Sequence, residues 1–196
     1  MKNKTLFATI FGLLVSTTIV KVLNFLKELQ ISYFYGTSEI VDHFNILMLG
    51  PNISLSTIAP AFGLILVAYL SNEKKELIIS YKEMLFFCGT ILLLFFISII
   101  SQTIYSGFSL FEISVSFFIS MLFLIQVLLI YYLHSFNAFN EGSISSMIQI
   151  IVNITVISLS FFMKSYLLLI VGLIIGLLIQ IIYLFNKIIK KSSIQI

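Results

Sequence analysis

The chain has 196 residues, a net charge of +3 and 60% hydrophobic side chains, with a mean hydropathy of +1.14. All eleven basic residues are lysine, and charge is confined to short stretches between long apolar runs. A soluble domain of this length could not hide so much apolar surface, and so small a net charge gives no reason to expect a nucleic-acid partner.

The alternative solvent is lipid. A bilayer core about 30 Å thick takes roughly 20 apolar residues per spanning helix. A backbone in lipid must satisfy its own hydrogen bonds, so it forms helices or a closed barrel. A barrel would show alternating segments of roughly ten residues; the runs here are about twice that length. The expected fold class is therefore all-α: a polytopic membrane bundle of about six helices, forming one transmembrane domain over 1–196. The single Cys88 excludes an intrachain disulfide.

The first span is expected over Leu6–Leu26, preceded by Lys2 and Lys4. It is long, no small-residue cleavage site follows, and Lys21 arrives instead, which argues against a cleaved signal peptide. The second span is expected over Ile40–Leu70. It contains Gly50-Pro51 and Pro60, so a bent or broken helix is predicted there. The third is expected over Met84–Tyr105, the fourth over Ile113–Phe139, the fifth over Ile144–Met163 and the sixth over Tyr166–Phe185.

With six spans, Lys2 and Lys4, then Lys74, Lys75 and Lys82, then Lys187, Lys190 and Lys191 all fall on one side. The positive-inside rule makes that side, and both termini, cytoplasmic. The implied location is the inner (cytoplasmic) membrane, multi-pass.

The spans carry polar residues. In the second, Asp42, Asn45, Asn52 and Ser56 recur at spacings of 3, 7 and 4, near one face of a regular helix. In the fourth, Gln126 and Asn137 lie about three turns apart. Ser145, Gln149, Asn153 and Ser160 form a stripe in the fifth, and Gly172, Gly176 and Gln180 share a face of the sixth. Such faces either hold helices together or line a wet cavity. Ionisable residues at depth cost about 2.5–3.5 kcal/mol each on insertion scales and are usually functional. Lys21, Lys27, Glu28 and Asp42 are the candidates; Glu112 and Glu141, at span ends, are expected to be solvated. The two histidines have no partners at metal-ligand spacing. No HExxH, GxSxG or P-loop pattern occurs, so neither an enzyme nor a cofactor is expected.

Lys21-Val-Leu-Asn-Phe-Leu-Lys27-Glu28, Phe34-Tyr-Gly36-Thr-Ser, Val41-Asp42-His-Phe44 and Pro51-Asn52 together resemble the N-terminus of the lipid II flippase family (MurJ/MviN-type). That family belongs to the multidrug/oligosaccharidyl-lipid/polysaccharide exporter superfamily. Phe136-Asn137-Ala138-Phe139-Asn140 with Asn153 resembles its turn between the fourth and fifth helices, and Gly172, Gly176 and Gln180 its sixth helix. The resemblance runs through the whole chain in order. It implies translocation of a polyprenyl-diphosphate-linked cell-wall sugar precursor, with membrane lipids and that precursor as partners. It also implies substrate-binding roles for Lys21, Lys27, Asp42 and Asn52. A lysine binds a diphosphate as a point charge. Where the family usually carries an Arg pair, this chain reads Ile53-Ser-Leu-Ser56. The family has about fourteen helices in two lobes that rock against each other. The chain resembles the first lobe, so a second lobe or a second copy of itself is implied. Another lipid-linked oligosaccharide, such as a capsule or O-antigen unit, and a non-transporting remnant or accessory subunit are the competing readings.

Overall fold

The computed structural model describes residues 2–36, 38–71, 109–136, 138–163 and 166–192, together with Gly89, Leu93, Phe96, Ile99 and Ile100. The described residues are helical apart from short turns. In chain order the helices are α1 (Lys2–Tyr35), α2 (Glu39–Leu47), α3 (Leu49–Ile53), a π-turn over Ser54–Ile58, α4 (Ala59–Ser71), α5 (Leu110–Ser135), α6 (Phe139–Met163) and α7 (Tyr166–Ser192). Among the described residues, four helical stretches are long and apolar enough to cross a membrane: Leu49–Val67, Leu110–Ser135, Phe139–Phe162 and Leu167–Lys190. The expected third span, Met84–Tyr105, lies outside the described residues except for the five isolated positions, which are helical.

The chain divides into two compact units: residues 1–41 with 136–196, and residues 42–135. In unit 1, α1 and α7 both pack on α6. Gly12 lies beside Asn140, the Gln30 amide donates to the Ile154 carbonyl and the Ser158 hydroxyl, and Tyr35 hydrogen-bonds Ser160. These pairs rise together along both chains, so α1 and α6 are parallel. Helix α7 is antiparallel to α6, with Gly172 beside Val156, Gly176 beside Asn153, and Gln180 bonded to Ser145. The N-terminus of α1 and the C-terminus of α7 therefore lie at the same end of unit 1.

Unit 2 repeats the parallel arrangement. His43 meets Glu112, Leu47 meets Ser116, Ser54 meets Ser120, and Gly63 meets Tyr131. The run from α2 to α4 is thus parallel to α5. Consequently α4 ends, and α5 begins, at opposite ends of this unit.

The expected break in the second span is present, at Met48 and over the π-turn, and serines accommodate it. Pro51 lacks the N–H that would bond the Leu47 carbonyl. The Ser116 hydroxyl of α5 donates to that carbonyl instead, at 2.8 Å. Ser120 Oγ donates to the Ser116 carbonyl at 2.9 Å, and Ser54 Oγ donates to the Ser120 carbonyl at 2.9 Å. All three serines are fully buried. The π-turn ends directly before Ala59-Pro60, and the Ala59 N–H reaches back five residues to the Ser54 carbonyl. A wide turn is one way a helix absorbs a residue that cannot donate.

Candidate functional site

Helix α1 has three faces. At about 100° per residue, one side bears Gln30, Ile31, Phe34 and Gly12 and packs on α6. A second is exposed and apolar: Phe11, Val15, Val22, Leu26 and Leu29. A third is exposed and mixed: Thr17, Lys21, Asn24, Glu28 and Ser32, at spacings of four, three, four and four, with the exposed apolar Leu14 and Phe25 along the same side. The expected first span covers only part of this helix, which continues nine residues past Leu26 to Tyr35. Lys27, Glu28 and Gln30 do not end it, because Lys27 Nζ pairs with Glu28 at 3.0 Å and Gln30 bonds α6.

The register of unit 1 fixes the height of Lys21. It lies midway between Gly12, beside Asn140, and Gln30, bonded to Ile154 and Ser158. Lys21 therefore stands level with Met147–Gln149, within about a turn of the middle of α6. Its side chain is exposed in the isolated chain. Lys27 lies elsewhere: six residues on, it is rotated by about 240° and is half-buried.

Unit 2 carries the other two candidates. Asp42, Asn45, Asn52 and Ser56 are all exposed, but Met48 separates α2 from α3 between them and Ser56 lies in the π-turn. Asp42 adjoins His43, whose partner Glu112 lies in the first turn of α5, so Asp42 sits at the end of unit 2. Asn52 is about three turns further along, where its carbonyl accepts from Ser56 at 2.7 Å.

Two carboxylates expected to be solvated are engaged instead. Glu112 is only 7% exposed. Its Oε2 accepts from the Ser109 N–H at 2.7 Å and the Ser109 hydroxyl at 2.8 Å, and its Oε1 bonds His43 Nε2 at 2.7 Å. The Ser109-x-x-Glu112 spacing is a capping box, a signal readable in the sequence. Glu141, at the start of α6, accepts from Tyr183 at 2.7 Å and from Lys187 at 3.1 Å, and the Lys187 ammonium also lies over the Tyr183 ring. This links the first turn of α6 to the last turns of α7.

The polar stripes of the fifth and sixth spans are used in helix packing. Gln180 is fully buried and donates to Ser145 and Ser146. Asn153 is buried against Gly176, and its Oδ1 has no hydrogen-bond partner. Among the described residues no group of three or more His, Cys, Asp or Glu side chains is placed to hold a metal ion.

No family model, curated protein or solved structure matches the chain.

Proposed function

We propose that the chain is a multi-pass protein of the cytoplasmic membrane with about six crossings, both termini on the cytoplasmic side. In this reading it serves as one lobe of a translocator for a polyprenyl-diphosphate-linked sugar precursor such as lipid II. A second lobe or a second copy of the chain supplies the other half, since such carriers work by rocking two halves.

The observation that carries this reading is Lys21, exposed at mid-height on a side of α1 that also carries Thr17, Asn24, Glu28 and Ser32. A lysine facing hydrocarbon costs about 2.5–3.5 kcal/mol on insertion scales. A water-filled passage removes that cost, and a cation there suits a diphosphate. Lys27, Asp42 and Asn52 are the further substrate contacts implied by the resemblance. The helix directions agree with the span count. The parallel run of α2–α4 with α5 requires an odd number of crossings between them, and the span expected over Met84–Tyr105 would be one. The parallel pair α1 and α6 likewise requires an odd number, and three lie between.

In cells that depend on this protein, Lys21→Ala is expected to lower precursor export roughly tenfold or more, the loss of one charge-assisted contact. Lys27→Ala should have a smaller effect. Export unchanged by both substitutions would remove the cavity role. One observation favours an accessory, non-transporting subunit: the buried polar residues of α6 and α7 serve packing. In that case Lys21 variants are silent, while bulky residues at Gly172 or Gly176 break assembly.

A further inference from the structure

The Phe34 and Phe161 rings stack at 4.4 Å and join α1 to α6. Two further rings extend this pair outward. Tyr33 lies 5.6 Å from Phe34, and Phe162 lies 5.9 Å from Phe161. Helix packing does not account for the outer pair, because Tyr33 is 86% exposed and Phe162 80%. Within a few residues of the four rings the sequence turns polar, with Ser38 and Glu39 after α1 and Lys164 and Ser165 after α6. The row therefore stands where apolar chain gives way to polar chain. The other end of unit 1 has its own boundary, where Glu141 accepts from Tyr183 and Lys187. Helix α6 is continuous from Glu141 to Phe161. That rise spans about 30 Å, the thickness of a bilayer's hydrocarbon core.

We propose that Tyr33, Phe34, Phe161 and Phe162 form an interfacial band that docks against the glycerol and headgroup layer of the lipid. The spacing of the two boundaries selects lipid as the partner. An exposed tyrosine also suits a surface that is apolar on one side and wet on the other. The band sits at the end of unit 1 opposite the N-terminus of α1. On the membrane reading above, on which this inference rests, that end is the non-cytoplasmic surface. The band also sets the depth of Lys21. Lys21 precedes Tyr33 by twelve residues of continuous α1, so it stands about 18 Å inside the band. The midplane of the core is about 15 Å inside. Lys21 is thus within about one turn of the bilayer centre, where a charge facing hydrocarbon is most costly.

The chain contains no tryptophan, so a single introduced one is a unique fluorophore. The full chain carrying Tyr33→Trp is reconstituted in phosphatidylcholine vesicles whose acyl chains bear bromine, a quencher, either near the headgroup or near the methyl end. Ile175→Trp is the deep reference. Ile175 is exposed on α7 and adjoins Gly176, which meets Asn153 about 12 Å inside Phe161. Tyr33→Trp is expected to lose more emission to the shallow bromines, and Ile175→Trp more to the deep ones. Phe162→Trp, on the neighbouring helix, should match Tyr33→Trp. The band is overturned by a Tyr33→Trp signal lost mainly to the deep bromines, or untouched by either lipid while Ile175→Trp is quenched. A depth for Phe162→Trp that differs from that of Tyr33→Trp also overturns it. If no variant is quenched by either lipid, the membrane reading itself falls, and the band with it.

Discussion

At the scale of single residues, the contact between α6 and α7 is set by two glycines. A methyl group at Gly172 would stand 2.6 Å from Val156 Cγ1, and one at Gly176 would stand 2.6 Å from Asn153 Oδ1 and 3.1 Å from the Gln149 carbonyl. Overpacking of this kind costs about 1–3 kcal/mol. Gly172→Ala and Gly176→Ala should both lower the unfolding midpoint. Val156→Ala should rescue the first, because its obstacle is a side chain. Asn153→Ala should rescue the second only in part, because a backbone oxygen remains. Equal midpoints for Gly176→Ala and wild type would contradict the close approach. These glycines and Gln180 were legible in the sequence from their four-residue spacing. Glu112 was not read correctly, although its signal is local. Its position at a span end suits an exposed acid, and the capping box with Ser109 is what draws it inward. His43, the partner of its other oxygen, is 69 residues away in sequence, and no periodicity reports such a pairing.

At the scale of elements, the broken second span depends on donors lent by its neighbour. Ser116→Ala would leave the Leu47 carbonyl buried without a donor, at a cost of about 1–3 kcal/mol. Pro51→Ala restores a backbone N–H at the position that ordinarily bonds that carbonyl. In the Ser116→Ala background it should recover much of the lost stability, and a double-mutant cycle measured by thermal unfolding reads the coupling. Additive effects would mean that the serine does not stand in for the missing N–H. The break itself was legible, since proline acts locally. Helix ends were less so. The fourth span begins three residues before its expected start because the capping box sets it. The first runs on to Tyr35, with Lys27 and Glu28 paired to each other and Gln30 bonded to α6. Hydropathy measures transfer into lipid and is blind to both.

At the scale of the whole molecule, helix direction makes a topological prediction. With Cys88 replaced by Ser, single cysteines at Lys75 and Lys190 are expected to react with a membrane-impermeant thiol reagent only from the cytoplasmic side. Cysteines at Ser38 and Ser109 should react only from the other side. Reaction of Lys75→Cys and Ser109→Cys from the same side would leave an even number of crossings between them and remove the six-span topology. What hydropathy made legible is the coarser feature, the long apolar helices, four of which among the described residues can cross a membrane. The partner of each helix was not, because α1 pairs with α6 across the rest of the chain. That choice of partner also sets a timetable. Tyr35 leaves the ribosome 125 residues before Ser160, which it will touch. At about 5–20 residues per second the gap is roughly 6–25 s. For that interval the first helix is without its permanent neighbour, and Gln30 and Tyr35 still lack their partners on α6. On the proposed membrane topology, an insertion machinery that retains a finished helix for seconds, instead of releasing it at once into lipid, is expected to favour its assembly.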